Sequence, residues 1–320
     1  MSAAPLRLGT RKSPMAIAQS RQVARIITER AGCQVELALV TTFGDVSRAE
    51  LTQIGGTGVF VSALRASLLA GDIDFAVHSL KDLPAVDADG ITLAAVAARD
   101  DPRDALSARD GVKLADLPAG SRIGTGSPRR AAQLLLLRPD IRPVPVRGNA
   151  GTRLAKITSG DVDAVVLAYA GLARIGRLDA VSQVFEPEEM LPAPGQGALA
   201  VECLAGREAL AELLACADDP ASRAATTAER AVLRGLQAGC SAPVGAYAAG
   251  TDELRLCAIV AAADGGKALR ASASGPAREA DRLGADVAAE LLRDGAGRYT
   301  AMSAGQISTG QHISTGDDNA

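Results

Sequence analysis

Apolar positions along the 320-residue chain switch repeatedly between two spacings. Short apolar runs of strand length lie at Val35–Thr41, Ile73–Val77, Ile91–Ala97, Pro143–Val146 and Val162–Leu167, with stretches of helical period between them. Leu6-Arg7-Leu8 reads as a further short strand. After it Ser13 is placed to cap a helix and Pro14 to open it, and Met15, Ala18, Val23, Ile26 and Ile27 form its apolar stripe. Arg122-Ile123 leads in the same way to Ser127-Pro128 and another helix. Strands alternating with helices predict α/β lobes whose largely parallel sheets are covered on both faces. Such sheets hold ligands at the carboxyl ends of their strands.

Two echoes divide this region. Strand, Gly-Thr, basic residue, Ser-Pro and a later Gln (Gln19, Gln133) occur twice. So does Gly71-Asp72-Ile73-Asp74-Phe75-Ala76-Val77, repeated as Gly160-Asp161-Val162-Asp163-Ala164-Val165-Val166. Matching motifs in the same order predict two lobes of one topology. The expected boundaries are 1–98 with about 198–218 for the first lobe and 99–197 for the second. Thr42–Gly58, rich in glycine and without period, reads as a loop, a candidate lid. Ala198–Cys203 reads as another strand. A small α+β domain is expected over 219–300: a helix at Ser222–Ala238, a hairpin of Leu254–Ala262 and Lys267–Ser274 around Asp264-Gly265-Gly266, and a last helix from Ala277 to Arg293. Residues 301–320 repeat Ile-Ser-Thr-Gly without a core pattern and are expected to be a disordered tail.

Charge changes this picture at one place. Between Gly120 and Thr158, Arg122, Arg129, Arg130, Arg138, Arg142, Arg147, Arg153 and Lys156 meet a single acid, Asp140, in a chain whose net charge is −3. Arg129 and Arg130 fall in the first turn of a helix, where the macrodipole disfavours a cation by ~0.3–1 kcal/mol. Arg147 precedes the turn Gly148-Asn149-Ala150-Gly151, and Arg153 sits in the next helix's opening turn. Free amide groups and guanidinium forks converging in this way predict an anion site.

Composition then excludes several functions. Apolar content of 48% and charged content of 22% are those of a soluble globular chain. Four Phe, three Tyr and no Trp count against a base-stacking platform for nucleic acid. No apolar run reaches membrane-spanning length and the first residues lack a signal-peptide core, so no membrane association and a cytoplasmic location are expected. Five widely spaced cysteines without a Cys-x-x-Cys pair, and only two histidines, indicate neither a disulfide framework nor a metal site. Cys33, Cys203, Cys216 and Cys257 fit as small buried hydrophobes. Cys240 differs, because Gly239-Cys240-Ser241-Ala242-Pro243 is a loop without apolar period, where a thiol serves as nucleophile or attachment point. Lys81 and Asp82, in Val77-His78-Ser79-Leu80-Lys81-Asp82-Leu83-Pro84, put a base and an acid side by side at the end of a strand. Asp82 there can act as general acid or base, or steady a developing cation, and Lys81 can hold a carboxylate.

These residues also carry a resemblance. The runs G-T-R-K-S-P-M-A-I-A-Q, G-G-T-G-V-F, V-H-S-L-K-D-L-P, D-D-P-R-D, G-T-G-S-P-R-R, V-R-G-N-A-G-T-R-L, A-P-G-Q-G-A-L and G-C-S-A-P-V-G-A-Y are similar, in order and over about residues 5–300, to the porphobilinogen deaminase (hydroxymethylbilane synthase) family. The resemblance implies two α/β lobes like those of periplasmic binding proteins and a small α+β C-terminal domain. It implies a dipyrromethane cofactor joined by a thioether to Cys240, four successive additions of the substrate porphobilinogen, Asp82 as catalytic residue and a monomer. It further implies cofactor contacts from Lys81, Thr125, Ser127, Arg129, Arg130, Arg147 and Gln196, and substrate contacts from Arg11, Ser13, Gln19 and Arg153. Thr57 departs from the lysine that family members often carry in Gly-Gly-Thr-Gly. A non-catalytic two-lobed anion-binding module, the alternative, accounts for the lobes and arginines but not for Cys240, Lys81-Asp82 or the third domain.

Overall fold

The structure is a computed structural model and describes residues 4–40, 58–239 and 242–300, the side chains of 58–60 excepted. Cys240, Thr57, the stretch 42–57 of the expected lid and the expected tail 301–320 lie outside the described residues. In chain order the elements are β1 (Leu6–Thr10), α1 (Pro14–Ala31), β2 (Val35–Leu39), α2 (Gly58–Leu69), β3 (Phe75–Ser79), β4 (Ile91–Val96), β5 (Asp104–Ala108), β6 (Arg122–Gly124), α3 (Pro128–Leu137), β7 (Arg142–Val144) and α4 (Ala150–Thr158). There follow β8 (Ala164–Ala168), α5 (Tyr169–Arg174), β9 (Gln183–Val184), β10 (Leu199–Leu204), α6 (Glu208–Leu214), α7 (Pro220–Gly235), β11 (Val244–Ala249), β12 (Glu253–Ala261), β13 (Ala268–Pro276) and α8 (Ala280–Arg293).

Two five-stranded sheets carry one topology. Their orders are β2-β1-β3-β10-β4 and β7-β6-β8-β5-β9. Each sheet is largely parallel, as expected, with one strand reversed. β10 runs antiparallel to β3 and β4, and β5 runs antiparallel to β8 and β9. The cause is the route of the chain. Leu199 opens β10 opposite Ser79, at the carboxyl end of β3, and Asp104 opens β5 opposite Ala168, at the carboxyl end of β8. Both strands therefore enter from the side where the parallel strands end, directly from the crossover segments 97–103 and 192–198. These two segments join the sheets, and the cleft they flank lies at the strand ends. The architecture is two similar α/β lobes with a small α+β C-terminal domain.

The repeated Gly-Asp-x-Asp has a structural cause. Asp74 accepts the Arg7 backbone N–H at 2.8 Å and its side chain at 3.2 Å, while Arg7 Nη2 donates to Gly71 O at 2.8 Å. Asp163 accepts the Arg122 N–H at 2.7 Å and its Nε at 3.4 Å, while Arg122 Nη2 donates to Gly160 O at 2.8 Å. In both lobes the same clamp ties the start of one strand to the turn before its neighbour. The helix starts repeat as well. Ser13 Oγ accepts from Ala16 N at 3.2 Å, and Ser127 Oγ from Arg130 N at 3.4 Å.

The C-terminal domain extends the expected hairpin to the antiparallel sheet β11-β12-β13. Val232, Leu236, Leu256, Val260, Leu283, Val287 and Leu291 from α7, α8 and the sheet form its core. The two helices pack closely because Gly284 has no side chain: a Cβ there would collide with the Ala228 carbonyl and the Ala231 methyl. Among the described residues no helix is long and apolar enough to cross a membrane.

Candidate active site

Two groups of polar side chains meet at the cleft. The first belongs to the β1-containing lobe. β3 ends in a single tight turn, Leu80–Asp82, pinned by Leu80 N donating to Ala198 O at 3.0 Å and Leu83 N to Leu80 O at 3.1 Å. With Leu80 fully buried, Lys81 and Asp82 are left at the cleft. Asp82 lines a cavity with Arg11, Gln19, His78, Ser79 and apolar Val61, Leu64 and Val77. Ser13 caps the helix that carries Gln19. Behind the cavity, His78 Nε2 lies 3.2 Å from Glu202 Oε2, and Arg65 grips both oxygens of Glu202 at 2.6 and 3.1 Å. Burial alone would raise this carboxyl. The close approach of His78 and the two hydrogen bonds from Arg65 outweigh it and hold Glu202 down at about 2.

The second group bridges the lobes. Lys81 Nζ donates to Gln196 Oε1 at 3.0 Å. Gln196 Nε2 donates to Asp104 Oδ1 at 2.8 Å and to Pro102 O at 2.7 Å. Asp104, with no exposed surface, also receives Arg129 Nη1 at 2.7 Å and Arg130 Nε and Nη2 at 3.0 and 2.8 Å. Burial would raise Asp104, but the two guanidiniums more than offset it and keep the carboxyl far below its usual range. The first-turn arginines are thus tolerated at a helix N-terminus because Asp104 supplies the anion. Burial, and then the Arg130 charge, pull the Lys81 ammonium down to about 8.

The positive island is smaller in space than in sequence. Arg122 pairs with Asp163, Arg138 with Asp140, Lys156 with Asp161, and Arg129 and Arg130 with Asp104. All but Asp140 come from outside the stretch. Among the described residues Arg142, Arg147 and Arg153 keep no acidic partner. Arg153 is half-buried and donates to Gly148 O at 2.8 Å, and its pKa is lowered by burial and then by the Arg130 charge. Arg147 is exposed and stands apart from these contacts. Thr125 is buried and accepts Ser127 N at 3.2 Å, below the first turn that carries Arg129 and Arg130.

Residues 6–212 match the family described as porphobilinogen deaminase, dipyromethane cofactor binding domain, and residues 224–293 match porphobilinogen deaminase, C-terminal domain. The chain belongs to the porphobilinogen deaminase family. It is 58% identical to the porphobilinogen deaminase of Thermobifida fusca, over 95% of this chain and 98% of that one. It is 52% identical to porphobilinogen deaminase 1 of Streptomyces coelicolor, over 92% and 97% of the two chains. Among solved structures, the methionine binding protein MetQ matches 66% of this chain and 89% of its own, at 12% identity and a TM-score of 0.43.

The side chains fit the dipyrromethane of a porphobilinogen deaminase, whose rings carry acetates and propionates. Lys81, Arg129 and Arg130 outnumber Asp82 and Asp104 at the junction. Arg129 Nε is buried with no hydrogen-bond partner among the described residues, an orphaned donor that a carboxylate oxygen satisfies. The fork of Arg130 is already closed on Asp104, with Nη1 on Val166 O at 3.1 Å. It adds field to the site more than open donors.

Several residues at this candidate site went unassigned in the sequence. Asp104 sits in a quoted motif, yet nothing local shows that its partners lie in α3. Glu202 gives a signal, one acid inside the apolar run Ala198–Cys203, where an unpaired charge would be costly. Glu229 gives a weaker one on the apolar face of α7. It is fully buried, pairs with Arg99 at 2.6 and 3.0 Å, and accepts Gly195 N at 2.7 Å and Ala248 N at 2.9 Å. Both crossover segments are thereby fastened to the C-terminal domain.

Proposed function

We propose that the protein is a cytoplasmic, monomeric hydroxymethylbilane synthase of tetrapyrrole biosynthesis, with lobes 1–98 plus 198–218 and 99–197, and a domain 219–300 that tethers the cofactor through Cys240. It joins four porphobilinogens head to tail and, after hydrolysis, yields hydroxymethylbilane. In each addition a C–N bond of the incoming porphobilinogen breaks, a C–C bond forms, and ammonia and one proton leave. When bound, the dipyrromethane supplies the pyrrole carbon on which the chain starts.

The observation that carries this reading is the join of the two groups at Lys81-Asp82. The Asp82 carboxylate shares a cavity with Arg11 and Gln19, while the adjacent ammonium reaches Gln196 of the bridging group. Asp82 takes hydrogen bonds from pyrrole N–H groups and opposes the positive charge that develops as ammonia departs. Arg11, Ser13, Gln19 and Arg153 orient the incoming porphobilinogen. Lys81, Thr125, Ser127, Arg129, Arg147 and Gln196 hold the carboxylates and ring N–H groups of the tethered chain, with Arg130 adding its charge. Because Asp104 holds Arg129 and Arg130 before any ligand arrives, little reorganisation accompanies binding.

Intact mass tests the reading. The purified protein carries an excess equal to one dipyrromethane, and Cys240→Ser loses it; an unmodified mass in active protein overturns the proposal. Asp82→Glu keeps the excess but turns over about 100-fold or more slowly, on the scale of losing one transition-state contact. Near-normal turnover removes Asp82 from its role.

A further inference from the structure

Arg230 stands on α7, next to Glu229, in the domain that bears Cys240. Its guanidinium donates to three backbone carbonyls of one short stretch of the β1-containing lobe. Nη2 reaches Pro84 O at 2.7 Å, and Nη1 reaches Leu83 O at 3.3 Å and Leu80 O at 3.5 Å. These carbonyls bracket Lys81 and Asp82. The turn is also held by burial of Leu80 and Leu83, by Leu80 N on Ala198 O and Leu83 N on Leu80 O, and by Lys81 Nζ on Gln196, but none of these contacts comes from the C-terminal domain. Ala85, just beyond, packs on the C-terminal core. One side chain of the cofactor-bearing domain therefore closes on the segment that carries the proposed catalytic carboxylate. The adjacent Glu229 fastens the same helix to both crossovers.

We propose that Arg230 is a positioning residue for porphobilinogen condensation: it locks the Leu80–Pro84 segment to α7, so that Asp82 and the cofactor-bearing domain share one frame. The inference rests on the roles read for Asp82 and Cys240. A planar guanidinium with five donors can serve several carbonyls at once, which an ammonium on a flexible stem does less well. The requirement follows from the geometry of the reaction. The growing chain is fixed to one domain and the charge-stabilising carboxylate to another, and a misplacement of about 1 Å costs on the order of 100-fold in rate.

The test is a double-mutant cycle in the full-length, cofactor-loaded enzyme with Arg230→Met, Asp82→Glu and the two combined, reading kcat, KM, cofactor load by intact mass and cooperative thermal unfolding. Arg230→Met is expected to load cofactor and unfold cooperatively, to lose roughly 10- to 100-fold in kcat with a smaller change in KM, and to be partly rescued in Arg230→Lys. In the Asp82→Glu background the same substitution is expected to lower kcat by less than about threefold, because a carboxylate already out of place has no position to lose. Unchanged kcat in Arg230→Met overturns the proposal. So does an equal fold-loss in both backgrounds, or a loss that follows cofactor load, since each describes a merely structural contact. If Arg230→Met does not fold, Arg230→Lys is carried through the same cycle. Normal turnover of Asp82→Glu by itself removes the Asp82 reading and this proposal with it, whereas slow Asp82→Glu beside normal Arg230→Met removes this proposal alone.

Discussion

The two lobes share strand order, clamp and helix cap, and differ at one buried point where the comparison is close. Leu8 pairs with Phe75 as Ile123 pairs with Ala164, so Ser79 answers to Ala168, and Leu199, opposite Ser79, answers to Asp104. From the caps, Met15 and Ala16 answer to Arg129 and Arg130, and Gln19 to Gln133. One lobe thus has Leu, Met and Ala where the other has Asp, Arg and Arg. The apolar lobe leaves Gln19 at a cavity with Asp82. The ionic lobe has no such use for its glutamine: Gln133 is spent on Leu191, donating to its carbonyl and accepting its N–H, both at 2.9 Å. The same scaffold has been made into a socket in one lobe and a prepaid field of guanidinium charge in the other. A buried ionic set of this kind is weak evidence for stability; its return is a charge held in place.

The largest effect should come from converting one lobe toward the other in steps. Asp104→Leu alone leaves two buried guanidiniums without their anion and is expected to cost about 3–5 kcal/mol in urea unfolding. Adding Arg129→Met and Arg130→Ala completes the set of the other lobe and should recover most of that loss, while the dipyrromethane mass excess disappears. A triple variant as unstable as Asp104→Leu would break the comparison. Next come the clamps. Asp74 also receives Arg207 at 3.0 Å and is 13% exposed, against 32% for Asp163. Asp74→Asn should therefore cost more, about 1–3 kcal/mol, than Asp163→Asn, about 1 kcal/mol or less, by the same measurement; equal losses would make the clamps equivalent.

The smallest effect is a pH dependence confined to one lobe, since Ala170 stands where the other has Lys81. Folding lowers the Lys81 ammonium from 10.5 to about 8, so between these values the unfolded chain binds more protons and stability rises with pH. Below about 8 both states are charged and the full penalty remains. Activity should move the opposite way, because the charge that holds a carboxylate is lost as pH rises through about 8. An alkaline fall in kcat/KM that Lys81→Arg flattens is expected, and a limb that survives in Lys81→Arg would assign it elsewhere.

Much of the fold was legible because its repeats are local. Gly-Asp-x-Asp and Ser-Pro mark a clamp and a cap, each made within one lobe, and the periodicity between them finds most strands and helices. Strands β5, with Asp-Ala-Leu-Ser-Ala, and β11, with Val-Gly-Ala-Tyr-Ala-Ala, escaped because alanine, glycine and serine carry little strand preference; their places are set by the neighbours they pack on. The single reversed strand in each sheet was illegible for a related reason, as direction follows from where the chain crosses the cleft. At the site, Lys81 and Asp82 stood out as residue types in a telling position, and Gln196 entered only through the family resemblance. The acids that neutralise most of the arginine-rich stretch did not, because Asp104 and Asp163 reach Arg129, Arg130 and Arg122 only once the sheet has formed. Charge counted along a chain therefore overstated the free positive charge in space.

The exchange of strands also bears on how the molecule is made. All five strands of the second sheet lie between Asp104 and Val184, but the first sheet needs β10, which separates β3 from β4 and ends only at Leu204. On a ribosome the amino-terminal half emerges first and yet stays open, with β2-β1-β3 and β4 waiting on either side of an unfilled gap. A released fragment ending at residue 197 contains every strand of the second sheet and lacks β10 of the first, a difference that limited proteolysis of the fragment would read directly. The half synthesised first is the half that finishes last.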